Sequence, residues 1–328
     1  MRPILLQGHE RALTQVQYNA DGDLVFTVSK DKVACVWFSS NGERLGTYEG
    51  HEGTIWSIHV NHDSTLVATG SADNTIRLWN CQTGQQLYKW NLNTACKRVQ
   101  FSPDGTKILA VTEERMGFKG TLSIYKLNLT NLEDQKQQPV KSIVMTESKA
   151  TVAAWIDETY VVCGHENGML TKYEWEMERL DVKNSRAHAE IITDLQVSPD
   201  RTYFITSSKD KTACIFEYDQ LIKLKTYSTD TPLNSAAISP LIQDFVLVGG
   251  GQDAMSVTTT DSRQGKFEVR FWHRIFEEEC GRVKGHFGPI NTLAAHPNGT
   301  GFASGGEDGF VRIHHYDPSY YGFKFADI

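Results

Sequence analysis

A fixed spacing of polar and aromatic residues constrains this chain more than any other feature. The best copy lies in residues 50–80, where short runs of alternating apolar and polar residues surround His51, Thr69, Asp73 and Trp79. Alternation of this kind predicts half-buried β-strands, and a repeat of about forty residues is typical of a propeller blade. Three further groups have the same spacing, with 28 residues from the first member to the last: His9, Thr27, Asp31 and Trp37; His188, Thr206, Asp210 and Phe216; and His286, Ser304, Asp308 and His314.

This spacing predicts one buried polar network in each such blade. We expect the aspartate to bind one imidazole nitrogen and the Ser or Thr hydroxyl to bind the other. The hydroxyl would also accept a hydrogen bond from the indole N–H, so that every member of the tetrad has a partner. Phe216 has no donor, and the network there should end at Thr206. In the last group, His314 is the candidate replacement for the indole.

Seven blades account for the whole chain. Turns that combine Pro with Asp-Gly or Asn-Gly suit tight hairpins, and they locate blades that lack the histidine. The predicted fold is all-β, a single seven-bladed propeller over residues 1–328, with inserted loops at 113–120, 128–141 and 254–266. Residues 3–7 should supply the outer strand of the last blade and so remove an open sheet edge. The predicted blades span residues 8–48, 50–90, 92–142, 143–183, 187–227, 229–284 and 285–328.

Composition narrows the class of protein. The net charge of −7 argues against a general affinity for phosphate backbones and favours a basic partner. No apolar run approaches the roughly 18 residues that a membrane span needs, and residues 1–7 do not have the pattern of a secretion signal. The six cysteines form no CxxC pair, which indicates reduced thiols in a cytosolic or nuclear protein.

Three segments have both a functional and a structural interpretation. The glycines at 249–251 follow a predicted strand without leading into a helix, so close packing is favoured over a phosphate cradle. His286, His314 and His315 lack the spacing of metal ligands. Residues 266–273 interleave aromatic and basic residues, as an RNA-binding strand does, but they also alternate as an ordinary strand does. Because no G-x-S-x-G motif is present either, we predict no catalytic, metal-binding or cofactor-binding residue and expect a protein that is not an enzyme.

Longer motifs resemble one family specifically. The Gly-His and Trp repeats are similar to those of WD40 proteins, and segments near both ends resemble the WD-repeat subunit i family of eukaryotic translation initiation factor three. The resemblance covers the whole chain and is weakest between residues 113 and 186. The motifs that carry it are PILLQGHER (3–11), GERLGTY (42–48), VGGGQDA (248–254), VTTT (257–260), GKFE (265–268), FEEE (276–279) and GRVKGHFGPIN (281–291).

The resemblance implies a cytoplasmic, non-catalytic scaffold that joins subunits b and g of the factor on the small ribosomal subunit. Such a scaffold supports mRNA scanning and start-codon selection. It would contact the 40S ribosome indirectly, without a cofactor, a membrane or a direct sequence-specific contact to nucleic acid. The alternative is a generic WD40 adaptor for signalling or for ubiquitin-ligase substrate recognition, which would bind a short peptide over the central channel.

In the family that the chain resembles, the C-terminal tail of subunit b docks as a helix on the side of blades five and six. Acidic and aromatic residues on that side suit a basic helix, although a solvated edge has the same composition. We expect Asp230→Lys to weaken capture of the tail while the fold stays intact. The predicted partner-binding residues are Tyr218, Asp219, Tyr227, Asp230, Thr231, Leu233 and Asn234.

Overall fold

Seven four-stranded antiparallel sheets form the computed structural model of the protein, which describes residues 2–240, 245–251 and 267–321. The sheets are the blades of a β-propeller, which confirms the predicted fold class. Within each blade, an inner strand borders the central channel and a second, third and outer strand follow towards the rim. A short helix, α1 (Pro318–Tyr321), follows the last strand. Among the described residues, no helix has the length and apolar character needed to cross a membrane.

The first four blades are each built from four consecutive strands. Blade one comprises β2 (Leu13–Tyr18), β3 (Leu24–Ser29), β4 (Ala34–Phe38) and β5 (Arg44–Tyr48), and blade two comprises β6 (Ile55–Val60), β7 (Leu66–Ser71), β8 (Thr75–Asn80) and β9 (Gln86–Asn91). Blade three comprises β10 (Cys96–Phe101), β11 (Lys107–Thr112), β12 (Thr121–Lys126) and β13 (Lys141–Val144), and blade four comprises β14 (Ala150–Trp155), β15 (Tyr160–His165), β16 (Leu170–Glu174) and β17 (Arg179–Asn184).

The last three blades include the one that closes the ring. Blade five comprises β18 (Ile192–Val197), β19 (Tyr203–Ser208), β20 (Thr212–Glu217) and β21 (Lys223–Ser228), and blade six comprises β22 (Leu233–Ile238), β23 (Phe245–Gly250), β24 (Glu268–His273) and β25 (Glu279–Lys284). Blade seven comprises β26 (Ile290–Ala295), β27 (Gly301–Gly306), β28 (Val311–His315) and, as its outer strand, β1 (Ile4–Leu6) from the start of the chain.

Pairing between the two ends of the chain closes the propeller. Strand β1 is antiparallel to β28, with Ile4 opposite Ile313 and Leu6 opposite Val311. Leu6 is buried in an apolar cluster shared by blades seven and one. The predicted closing strand is therefore confirmed, and it joins the ring by backbone hydrogen bonds as well as by apolar burial.

The hydrophobic core lies between adjacent blades. Phe26 and Val28 of blade one, for example, pack with Ile55 and Val67 of blade two. Because each sheet is covered on both faces by its neighbours, most second and third strands are buried along almost their whole length. This burial leaves the rim, the turns and the channel as the surfaces available to a ligand.

Every inner strand contains a β-bulge at the same position. The pairing with the second strand shifts after the first residue of the inner strand, as between Leu13 and Gln15 in blade one. A bulge redirects the extra residue out of the ladder. All seven of these bulge residues line the central channel: Thr14, Trp56, Lys97, Thr151, Thr193, Asn234 and Asn291.

The two faces of the wheel differ in the connections that they carry. One face carries the connections into the inner strands and the turns between the second and third strands. We call it the histidine face. The opposite face has the remaining turns. Blade three extends slightly further than predicted, because β13 ends at Val144 and not at 142.

One of the predicted inserted loops does not simply run over the surface. In the loop predicted at 128–141, Gln135 is buried, and the Lys136 carbonyl accepts a 2.9 Å hydrogen bond from the Trp90 indole of blade two. This loop therefore packs against the neighbouring blade. The loop predicted at 254–266 lies outside the described residues.

Candidate functional site

The structure brings the predicted tetrads of blades one and two together. In blade two, His51 Nδ1–H donates to Asp73 Oδ2 at 2.8 Å, and His51 Nε2 lies 2.7 Å from Thr69 Oγ1. The Trp79 indole donates to the same hydroxyl at 2.8 Å. Blade one repeats this geometry, with corresponding distances of 2.8, 2.8 and 2.9 Å for His9, Thr27, Asp31 and Trp37.

In the other two groups the fourth residue donates no hydrogen bond to the hydroxyl, so each network has three members. In blade five, His188 lies 3.0 Å from Asp210 Oδ2 and 2.7 Å from Thr206 Oγ1, and Phe216 stacks on Phe204 instead of donating a hydrogen bond. In blade seven, His286 contacts Asp308 at 3.1 Å and Ser304 at 2.9 Å.

The predicted role of His314 as a replacement donor is wrong. Its ring stacks on Phe302 at a centroid distance of 4.6 Å, and its Nδ1 has no hydrogen-bond partner among the described residues. Because the imidazole is shorter than an indole and is held by this stacking, Ser304 receives no donor from it.

Blade four contains a related pair that sequence analysis missed. His165 is the last residue of the second strand, and its Nε2 lies 2.7 Å from Thr171 Oγ1, while its Nδ1–H donates to the Ser148 carbonyl at 3.1 Å. This histidine therefore lies at the end of the second strand, whereas the tetrad histidines lie in the connections before the inner strands. The only signal in the sequence is a histidine and a threonine six residues apart across a tight turn.

The tetrads have a common electrostatic signature. Burial acts to raise the pKa of each aspartate, but the hydrogen bonds and charges around the carboxylate, led by the bond from the paired histidine, together outweigh burial and hold the pKa below its ordinary value. This applies to Asp31, Asp73, Asp210 and Asp308. Burial lowers the pKa of His51 and His286. In His188, burial also acts to lower the pKa, but the hydrogen bonds and charges of Asp210 and Cys214 together outweigh it and the pKa is raised.

These shifts predict that acid destabilises the fold. A group whose pKa is lower in the folded state stabilises the protein above its unfolded pKa, and this contribution is lost as the pH falls towards the folded value. The aspartates and two histidines above act in this direction, whereas His188 alone contributes stability that is lost as the pH rises. We expect the urea midpoint to decline below about pH 6.5, and more steeply below about pH 4.

Urea titrations at about pH 7.5, 6 and 4.5 measure this dependence. The Asp73→Ala variant should show a steeper decline in this range, because Asp73 raises the pKa of His51 and its loss leaves burial to lower that pKa further. A midpoint that stays constant down to about pH 4.5 would contradict the prediction.

The seven predicted partner-binding residues do not form one surface. Tyr218 and Asp219 follow β20 on the opposite face, whereas Asp230 and Thr231 follow β21 on the histidine face. Six residues of strand separate these two ends by about 20 Å. Tyr227 and Leu233 are buried in an apolar cluster between blades five and six, which contradicts their prediction as contact residues.

Tyr218 and Asp219 are committed to an interaction with a buried lysine. Lys172 of blade four is 1% exposed, and its ammonium donates to the Asp219 carbonyl at 2.7 Å and lies 2.9 Å from Asp181 Oδ2. The same nitrogen lies 4.6 Å from the centre of the Tyr160 ring and 5.9 Å from that of Tyr218. Burial acts to lower the pKa of Lys172, but the hydrogen bonds to the two aspartates outweigh it and raise the pKa. These residues therefore hold blade four to blade five.

Asp230 has an internal partner as well. Its carboxylate accepts a hydrogen bond from Arg270, whose side chain is buried between Asp230 and Glu279. A lysine at position 230 would place a second cation beside this guanidinium, so the structure leads us to expect that Asp230→Lys destabilises the fold. Thr231 is half-buried, and its carbonyl accepts a 2.7 Å hydrogen bond from Thr229 Oγ1. Asn234 is one of the channel residues.

Exposed apolar residues mark a different surface on the same two blades. Leu224 on the outer strand of blade five is 52% exposed, and Phe276 in the turn before the outer strand of blade six is 58% exposed. Lys225 joins the two blades, because its ammonium donates to the Ile275 carbonyl at 2.8 Å and pairs with Glu277 at 3.0 Å. We call this surface the apolar edge; it comprises Ile222, Leu224, Ile275 and Phe276.

For the glycine segment and the aromatic strand, which had both a functional and a structural interpretation, the contacts favour the structural one. A side chain at Gly249 would meet Ile290 at 2.9 Å, and one at Gly250 would meet the Pro232 carbonyl at 2.1 Å, so both glycines permit close packing. Val269 and Phe271 of β24 are buried, which removes the face that base stacking would need. Within the described ranges, no group of three or more His, Cys, Asp or Glu side chains is placed to hold a metal ion. All six cysteines are free thiols.

Comparison with known proteins shows extensive similarity. The EIF3I family model matches residues 1–326. Eukaryotic translation initiation factor 3 subunit I of Schizosaccharomyces pombe is 57% identical over 328 residues, which cover 99% of this chain and 100% of that protein. The subunit I of Aspergillus oryzae is 56% identical over 327 residues, which cover 99% of this chain and 97% of that protein.

Proposed function

Because the chain belongs to the family of eukaryotic translation initiation factor 3 subunit I, we propose that it is a non-catalytic scaffold that joins subunits b and g of the factor. In this role it supports 40S recruitment, mRNA scanning and start-codon selection in the cytoplasm. The family membership supports translation initiation as the process, and the propeller supports binding to other subunits as the activity.

The apolar edge is the observation that carries this proposal. Single exposed apolar residues are ordinary on a protein surface, but four of them on segments of two blades that Lys225 holds together indicate a contact surface. The edge also lies on an outer strand, which has only one neighbouring strand in its sheet. We assign it to the helical tail of subunit b, in place of the predicted residues that are buried or paired within the chain.

The surroundings of the apolar edge suit an amphipathic helix with basic flanks. Glu277 and Glu278 are in the same turn as Phe276, and Glu217 lies at the end of the neighbouring third strand. The apolar face of a helix would bury Leu224 and Phe276, while its basic residues would meet these carboxylates at the margin. Apolar anchors with a charged margin are the usual arrangement of such interfaces.

Leu224→Asp should weaken binding of a synthetic peptide of the subunit b tail by at least about tenfold, because the interface loses one buried leucine and gains an unpaired charge. Titration calorimetry with the full-length chain measures this change. Leu45→Asp is the matched control, since Leu45 is at the same position on the outer strand of blade one and is 48% exposed. Equal affinity of both variants would place the tail elsewhere.

Co-purification from a native lysate tests the function as a whole. Subunits b and g, together with 40S ribosomes, should be recovered with the tagged chain, and Leu224→Asp should reduce the recovery of subunit b. Recovery of a ubiquitin ligase or a kinase without any initiation factor subunit would contradict the proposal and favour the adaptor alternative.

A further inference from the structure

The mouth of the central channel on the histidine face is bordered by an incomplete ring of hydrogen bonds. In five blades, the bulge residue donates to the carbonyl of the first inner-strand residue in the next blade. The pairs are Thr14 to Ile55 (2.5 Å), Thr151 to Ile192 (2.6 Å), Thr193 to Leu233 (3.1 Å), Asn234 to Ile290 (2.9 Å) and Asn291 to Leu13 (3.0 Å). These bonds tie the inner strands to one another around the mouth.

The ring is interrupted at blades two and three, where the bulge residues are Trp56 and Lys97. Instead of bonding to the next blade, the Lys97 ammonium lies over the Trp56 ring, 3.9 Å from its centre. Its ion pair with Glu113 is long, at 3.6 Å, and no hydrogen bond joins the ammonium to any of the described residues. The Trp56 Nε1–H is buried and likewise has no partner in the described part of the chain.

A third donor lies one residue deeper. The Arg98 guanidinium crosses the channel towards Asp194 at 3.6 Å and donates to the Leu195 carbonyl at 3.4 Å, which are both long contacts. Asp194, in contrast, is well bonded, because it accepts from Ser235 Oγ at 2.6 Å and from the Leu195 amide at 2.9 Å. The channel therefore contains a satisfied anion and two incompletely satisfied cations.

These groups define the chemistry of a ligand. An ammonium, an indole N–H and a guanidinium can only donate, so their missing partners must be acceptors. They line a cavity of about 190 Å³, together with Asn234, Asn291 and other polar channel residues. A small anionic group with several lone pairs, such as a carboxylate, satisfies the ammonium and the guanidinium through charge-assisted hydrogen bonds.

We propose that the channel mouth beside Trp56, Lys97 and Arg98 binds the carboxylate side chain of one Glu or Asp in a peptide segment that is otherwise uncharged. The aromatic ring would contact the aliphatic part of the Glu or Asp side chain, and the two cations would bind its oxygens. This site is separate from the apolar edge and is independent of the function proposed above.

The surroundings favour a peptide over a nucleic acid. Glu113 and Glu307 lie beside the mouth, since Glu113 pairs with Lys97 and Glu307 accepts a 2.8 Å hydrogen bond from Asn291. These carboxylates, and the net charge of −7, repel a polymer of phosphates. A single carboxylate on an otherwise uncharged segment meets only the local donors.

Titration of the isotope-labelled, full-length chain with acetyl-Gly-Glu-Gly-amide tests the site. The Trp56 indole N–H resonance, assigned by its loss in Trp56→Phe, should shift in a saturable manner, whereas the Trp79 indole within its tetrad should not move. The matched peptide acetyl-Gly-Gln-Gly-amide should cause no saturable shift. Lys97→Gln should weaken the apparent affinity by about tenfold, the loss expected for one charge-assisted hydrogen bond.

Lys149→Gln is the control for the change in charge. Lys149 pairs with Glu166 at 3.7 Å on the same face but does not line the cavity, so this variant should bind as the unmodified chain does. Equal shifts with the Glu and Gln peptides, or full affinity in Lys97→Gln, would overturn the proposal. Saturation by inorganic phosphate or an oligouridylate without any response to the Glu peptide would overturn it too. An unchanged Trp79 resonance in each variant shows that the fold is retained.

Discussion

Asp73→Ala is expected to lower the free energy of unfolding by about 3 kcal/mol. The Asp73 carboxylate accepts from His51 Nδ1 at 2.8 Å, from Thr75 Oγ1 at 2.6 Å and from the amides of Glu52 and Thr75 at 3.0 and 3.1 Å. Alanine would leave the buried imidazole and these donors without their acceptor, and a buried group without its partner costs more than the hydrogen bond itself contributes. Urea unfolding at neutral pH measures the loss.

Asp63→Ala is the control for Asp73→Ala. Its side chain is 79% exposed, and its polar contact in the described part of the chain is with the neighbouring His62 at 3.4 Å, so the variant should lie within about 0.5 kcal/mol of the unmodified chain. Equal stability of the two variants would mean that the tetrad of blade two contributes nothing beyond an ordinary surface turn.

Lys172→Ala is expected to cost a similar amount, about 3 kcal/mol. The variant removes a buried aliphatic stem and leaves a cavity, and it also removes the ammonium that joins Asp181 of blade four to Asp219 of blade five. Lys172→Met keeps most of the stem and should cost about half as much, because it loses only the polar contacts. The difference between the two variants separates packing from charge.

Lys183→Ala provides the comparison for a partly exposed lysine in the same blade. Its ammonium pairs with Glu147, whose side chain is 58% exposed, so the expected change in the free energy of unfolding is within about 0.5 kcal/mol. If Lys172→Met were as stable as the unmodified chain, the contacts between blades four and five would owe their stability to apolar packing alone.

The fold was largely predictable because its signals are local. The histidine, hydroxyl, aspartate and indole of a tetrad all lie within one blade, and their 28-residue spacing follows from the lengths of two strands and two turns. The closing strand was predictable for a related reason, since blade seven lacked an outer strand and residues 3–7 were the apolar segment outside any other blade. Both inferences use the order of residues along the chain and no knowledge of neighbouring blades.

The partner surface was not predictable in this way. Sequence analysis predicted Tyr227 and Asp219 as partner-binding residues, but Tyr227 donates to the Arg274 carbonyl of blade six and Asp219 binds Lys172 of blade four. The exposed residues of the apolar edge gave no distinct signal, because an isolated Leu in a strand, or an isolated Ile or Phe in the turn beside one, has the same pattern as a core residue. Their exposure depends on being at the rim, where the outer strand has one uncovered side.

The sequence by itself determined the class of fold, the number of blades and the members of the tetrads in blades one and two, because these depend on spacing within one repeat. It also determined the closure of the ring, because the last blade lacked an outer strand and the first residues could supply it. Only the tertiary structure decided which polar and apolar side chains remain available to partners. The decisive contacts join adjacent blades, as Lys172 joins Asp219 across 47 positions and Arg270 joins Asp230 across 40. A repeat pattern has no information on such contacts, since they depend on how neighbouring sheets pack against each other.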